Sequence, residues 1–119
     1  MASDPAFRDE VTARLIPMGP VEGKRMFGGF GIFLDGRMFG LIARDELYFK
    51  VDDANRPAYE AAGSGPFTYE RKGKPASLNY WRVPDVVYED PSSLISWAGD
   101  AHAVAMRSAA KKPKKPKRK

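Results

Sequence analysis

The sequence predicts an α+β domain: an antiparallel sheet of about five strands with helices mainly on one face. Three observations carry that expectation. Asp-Pro pairs, Asp4-Pro5 and Asp90-Pro91, open a helical stripe of apolar residues near each end of the chain. Asp35-Gly36 sits between two apolar runs, which is the signal of a tight hairpin. Leu47, Phe49 and Val51 alternate with Glu46, Tyr48 and Lys50, the period of a half-buried strand. Helices gathered against one face of such a sheet bury both apolar surfaces together.

The first helix begins where Asp4 can accept from the free amides of the first turn and Pro5 loses nothing by lacking an N–H. Phe7, Val11, Leu15 and Met18 then fall on one helical face, and Pro17, Gly19 and Pro20 end it near Ile16. Residues 22–51 read as strands. Phe30–Leu34 and Met38–Ile42 flank the Asp35-Gly36 turn, Arg44-Asp45-Glu46 forms a second turn, and Leu47–Val51 follows. An extra short strand fits Lys24–Phe27. Strict alternation along Met38–Ile42 puts Phe39 and Leu41 on one face of the sheet and Met38 and Ile42 on the other.

Asp52-Asp53 can cap a short second helix that ends before Gly63, a residue suited to the left-handed position after a helix. Pro57 must lie in its first turn. Phe67–Glu70 and Ser77–Val83 read as two further strands joined by the basic turn Arg71-Lys72-Gly73-Lys74-Pro75, and Pro84 ends the second. The last helix has Asp90 as cap, Pro91 at its first position, and Leu94, Trp97, Ala98, Ala101 and Ala105 as its stripe. Phe7, Val11, Leu15, Leu94 and Trp97 should pack both end helices on the sheet.

At 119 residues and 43% hydrophobic, the chain suits one domain with a real core. It has no cysteine and one histidine, which excludes disulfide frameworks, thiolate metal sites, iron–sulfur clusters and multi-histidine centres. No cofactor is implied. The net charge of +5 needs dividing. KKPKKPKRK at the end carries seven basic side chains, so residues 1–110 keep 13 Lys and Arg against 15 Asp and Glu, a net of −2. The expected division is a domain over residues 1–110 and a disordered basic tail over 111–119. The N-terminus has no signal-peptide pattern and no run is long enough to span a bilayer, so a cytoplasmic location without membrane contact is expected.

Five features bear on chemistry. Met26-Phe27-Gly28-Gly29-Phe30-Gly31 lacks the following helix that a phosphate loop needs, so close strand crossing explains it better. His102 has no sequence partner for acid–base work and reads as a packing residue. Arg71, Lys72 and Lys74 beside Tyr69, Tyr80 and Trp81 could hold a single-stranded nucleic acid, although alternation sends several of these rings to the core. The tail residues Lys111, Lys112, Lys114, Lys115, Lys117, Arg118 and Lys119 could bind nucleic acid without sequence preference. Glu22, Asp35 and Glu70 are scattered carboxylates that an unseen site would have to bring together.

The segments KRMFGGFGIFLDGRMFGLI, LYFKVD, GSGPFTYERKGKP and NYWRVP, in this order and spacing, resemble the TfoX N-terminal-domain family over about residues 7–106. The resemblance implies the order α-β(3)-α-β(2)-α, a secretion-chaperone-like fold. It also implies a non-enzymatic regulator: the family's namesake is a positive regulator of DNA-uptake genes that works with a global transcription activator. That namesake carries a second, helical domain, where this chain has its lysine-rich segment. The resemblance supplies no catalytic or ligand residues. The expected function is thus an interaction module linked to transcription and competence, with a protein partner, possible transcription machinery contacts and a possible homodimer. The alternatives are a nucleic-acid-associated protein that uses the tail, and a small enzyme or ligand binder with a pocket between sheet and helices. A face of the sheet that helices leave open should present an apolar patch to a partner.

Overall fold

The computed structural model describes residues 5–26 and 28–111. Helix α1 (Pro5–Leu15) leads through a short 3-10 turn at Ile16–Met18 into the strands β1 (Glu22–Met26), β2 (Gly29–Leu34), β3 (Arg37–Ala43) and β4 (Glu46–Lys50). Helix α2 (Arg56–Ala61) precedes β5 (Pro66–Arg71) and β6 (Lys74–Arg82), and α3 (Asp85–Glu89) and α4 (Pro91–Lys111) close the chain. The sheet has six strands in the order β1-β2-β3-β4-β6-β5, with every neighbouring pair antiparallel. The fold is α+β as the sequence indicated, with one strand more than expected. The optional short strand is a full member of the sheet, at Glu22–Met26.

The two-residue turns follow from backbone conformation. Asp35 and Gly36, and again Lys72 and Gly73, are both at positive φ, the geometry that matches the twist of paired strands. The β3–β4 turn does the same with Arg44 at φ 54° and Asp45 at φ 61°, where no glycine relieves the crowding.

Asp52 and Asp53 do not cap α2 directly. The Asp52 carboxylate accepts from the Ala54 N–H at 2.9 Å, Asn55 Oδ1 accepts from the Asp52 N–H at 2.8 Å, and the helix starts at Arg56 with Pro57 in its first turn. Asp4 lies outside the described residues, and Pro5 is the first residue of α1. Asp90 accepts from the Ser93 N–H at 3.2 Å and from its hydroxyl at 2.6 Å at the start of α4. Helix α3 was not foreseen. Its five residues start after Pro84 and are too few to show a period.

Helix α4 crosses β3 and β4, and α1 packs against α4 and β1. Val11, Leu15, Phe30, Ile32, Leu34, Phe39, Ile42, Leu47, Phe49, Leu94, Ala98 and Ala101 form the core between helices and sheet. Phe7 and Trp97 are half-buried at its margin. The strict alternation expected along β3 fails at one point. Ile32 pairs with Gly40 but Phe33 pairs with Met38, so Phe39 is an extra residue in a β-bulge. Phe39 therefore joins Ile42 in the helix-covered core, and Leu41 joins Met38 on the opposite face.

Candidate interaction face

The face of the sheet away from the helices has an apolar cluster of its own. Leu41, Tyr48 and Tyr80 are buried there, with Met38, Ala43 and Phe67 packed against them. Every member comes from a strand, and among the described residues no helix contributes to it. Met26 and Phe33 extend the patch toward β1. A Cβ on Gly31 would lie 2.6 Å from the Met26 sulfur, 2.9 Å from Phe33 and 3.1 Å from the Met38 sulfur, so that glycine is the floor beneath three large side chains.

The rings are ordered by their neighbours. Tyr48 meets Phe67 edge-on at 5.1 Å, and Phe67 and Tyr69 lie nearly parallel at 6.2 Å. The Tyr80 hydroxyl donates to the Met38 carbonyl at 3.4 Å, so its ring reaches across the sheet from β6 to β3. Burial pushes the Tyr80 phenol up to about 12. Burial, and then the Glu46 carboxylate to which it donates at 3.2 Å, also raises Tyr48.

Cations stand over three of these rings. Lys24 lies 5.1 Å from the centroid of Phe33, Arg44 5.9 Å from Phe67 and Lys50 5.0 Å from Tyr80. Arg44 is held over the face by its left-handed turn position. A non-glycine residue there costs roughly 1 kcal/mol.

Charge is divided between the two sides of the molecule. Register or contact places Lys24, Arg44 and Lys50 on the open face with the carboxylates of Glu22 and Glu46, and Arg82 at its edge, where it pairs with both Glu46 and Asp85 of α3. On the other side, Asp9 and Glu10 ride on α1, and Asp52, Asp53 and Glu60 on α2 and the loop before it. Asp85, Glu89, Asp90 and Asp100 follow on α3 and α4. Arg8, Arg14, Arg56 and Arg107 are the arginines of those same helices.

The features singled out in the sequence fall as follows. In the glycine run, a side chain at Gly29 would collide with the Ile42 carbonyl of β3, so strands cross closely there; Phe27 lies outside the described residues. His102 has Nε2 3.1 Å from the Leu34 carbonyl oxygen and its ring edge-on to Phe39 at 5.8 Å, a packing role. Tyr69 and Tyr80 do share a face, but Trp81 turns to the helix side, where Tyr59 meets it at 6.3 Å. Glu22 and Glu70 belong to opposite edge strands and Asp35 to the β2–β3 turn, so the strand order keeps these three positions apart. Lys111 ends α4, one residue past the expected domain boundary. Lys112, Lys114, Lys115, Lys117, Arg118 and Lys119 lie outside the described residues.

The sheet–helix pocket of the alternative reading corresponds to a cleft of about 170 Å³ beside Phe7, Leu47, Arg82, Asp85 and Tyr88. Small-molecule sites usually measure roughly 300–1,000 Å³. Arg82 fills its polar side, bound to Glu46 at 3.2 Å and to Asp85 at 2.8 Å. Among the described residues, no group of three or more His, Cys, Asp or Glu could hold a metal, and no helix is long and apolar enough to cross a membrane.

Sequence reasoning expected a patch on the open face but misassigned its members, because the bulge at Phe39 reverses the alternation. Lys24, Arg44 and Lys50 were missed as a set. They are far apart in sequence and meet only through the strand order.

Comparison with known proteins gives a consistent result. The family profile described as TfoX N-terminal domain matches residues 13–105. The chain is 30% identical over 84 residues to DNA transformation protein TfoX1 of Aliivibrio fischeri, covering 71% of this chain and 40% of that protein. It is 24% identical over 81 residues to protein Sxy of Escherichia coli, covering 68% and 39%. It is 29% identical over 92 residues to an uncharacterized 12.7 kDa protein in the trpE 5′ region of Spirochaeta aurantia, covering 76% and 74%. The chain thus spans about two fifths of the first two relatives and about three quarters of the third.

Proposed function

The chain belongs to the TfoX N-terminal domain family, and from that membership we propose that it is a non-enzymatic regulator of DNA uptake that works by protein contact. The observation that carries the contact reading is the second apolar cluster, Leu41, Tyr48 and Tyr80 with Met38, Ala43 and Phe67, on a sheet face that no described helix covers. An apolar patch rimmed by charge is the usual form of a protein-binding surface. The link to DNA uptake rests on the similarity to a protein named for DNA transformation. The transcription machinery is the partner class this reading favours.

The test is genetic and biochemical together. The gene is deleted in its host, and transformation frequency and DNA-uptake transcripts are measured after complementation. Wild type should restore both. Phe67→Ser and Met38→Asp, at half-buried positions of the open face, should accumulate and melt like wild type yet restore neither. Full restoration by both variants would remove the face from the function. An unchanged phenotype on deletion would remove the link to DNA uptake.

A further inference from the structure

We propose that the open sheet face takes an acid-flanked apolar segment of another protein; this rests on the reading that the face is the contact surface, and adds the chemistry of the partner. Residues 1–110 carry a net charge of −2, yet on the open face Lys24, Arg44 and Lys50 stand over the rings with Glu22 beside Lys24, while Arg82 at the edge of the face is matched by Glu46 and Asp85. The domain presents its positive side where its second apolar cluster lies. A partner that covers the cluster must meet those cations, so it brings carboxylates around apolar side chains.

Ring geometry separates this occupant from a nucleic-acid strand. Bases bind such faces by stacking on bare aromatic rings. Here Lys24 stands over Phe33, Arg44 over Phe67 and Lys50 over Tyr80, at 5.1, 5.9 and 5.0 Å. Tyr48 and Tyr80 are each only 9% exposed. A base would have to displace a cation from each ring. A carboxylate would not: it approaches the same ammonium or guanidinium from the solvent side while aliphatic groups cover Met38 and Leu41. A second copy of the chain is the poorer occupant, because two open faces brought together would oppose the same cations.

The experiment reads fluorescence anisotropy of a labelled amphipathic helix, Leu on one face and Glu on the other, with the full chain. Its Lys-for-Glu analogue and a labelled oligothymidine are the comparison probes. The Glu helix should bind, and weaken about tenfold or more between low and physiological salt as exposed charges are screened. The Lys analogue should not bind. Lys24→Glu combined with Arg44→Glu, both exposed, should weaken the Glu helix about tenfold or more with no change in melting temperature, and should admit the Lys analogue.

The proposal is overturned if the Glu helix does not bind or the double reversal is silent. It is equally overturned if the Lys analogue binds as tightly as the Glu helix, or if the double reversal weakens oligothymidine binding as much as it weakens the Glu helix. The two readings fail separately. If Phe67→Ser is defective in the host while the helix probes fail, the contact surface stands and its acidic partner falls. If Phe67→Ser is silent in the host, the contact surface itself falls.

Discussion

Single side chains decide several of the contacts that hold this sheet. An alanine at Gly29 would push its methyl into the Ile42 carbonyl of the neighbouring strand, whereas a methyl at Gly99 of α4 meets nothing. Gly29→Ala should therefore destabilise by about 3 kcal/mol. Gly99→Ala should stabilise by about 0.5–1 kcal/mol through helix propensity. Urea melts of the two variants compare them directly. The glycine run was legible in the sequence as close packing, because the helix a phosphate loop requires was absent. Tyr59 was not legible: it is 1% exposed, and its hydroxyl is buried with no hydrogen-bond partner among the described residues. Tyr59→Phe should thus be neutral or stabilising by about 1 kcal/mol, since it removes a buried group that gains nothing in the fold. Tyr80 gives a pH signature. Burial favours its neutral form, so the associated stability is intact below the ordinary value of 10.0 and is lost as pH rises from there toward about 12. Tyr48, Tyr59 and Tyr88 are raised as well, so phenolate absorbance should show several late-titrating tyrosines, and Tyr80→Phe should remove one of them.

At the scale of elements, α4 is held at more than its apolar stripe. Arg107 grips Asp52 with three hydrogen bonds of 2.9–3.1 Å, tying the end of the helix to the loop after β4. Burial opposes the charge on Asp52, but hydrogen bonds from Ala54 and Arg107 outweigh it and hold the carboxyl below its ordinary 3.8. The stability this contributes is present above that value and is lost as pH falls through the lower folded-state value. Both groups are part-exposed, so Asp52→Asn should cost only about 1 kcal/mol at neutral pH. It should also flatten the acid limb of the stability curve. Trp97 packs edge-on to Tyr59 at 4.6 Å, linking α4 to α2. Trp97→Ala should cost about 3 kcal/mol, read from the thermal midpoint. The long elements were legible because their apolar periods are clean and their starts carry Asp-Pro. The five-residue α3 has no room for a period. The bulge at Phe39 escaped for a different reason: alternation assigns a face only while every residue is paired, and one unpaired residue changes the parity of all that follow.

Over the whole molecule, the sequence revealed the charge imbalance between the body and the basic segment, but not its division between two faces. The division depends on which strands neighbour one another, and β6 comes to lie between β4 and β5 only in the folded sheet. The segment Lys111–Lys119 keeps its proposed affinity for polyanions. Its seven cations limit the slope of log affinity against log salt to about −6, which gel shifts at several salt concentrations would measure. A steeper slope would require cations of the open face as well.

The separation of charge has a kinetic consequence. At low salt, where the Debye length reaches about 30 Å at 0.01 M, an approaching molecule first responds to the sum of charges; at close range it responds to the face it meets. Residues 1–110 sum to −2, and the basic segment brings the total to +5. An acidic partner is therefore drawn in at long range by the segment and held at short range by the sheet. Neutralising the lysines of 111–119 should slow association with the Glu helix several-fold at low salt and leave dissociation unchanged. Reversing Lys24 and Arg44 should act chiefly on dissociation. Stopped-flow mixing would separate encounter from residence time.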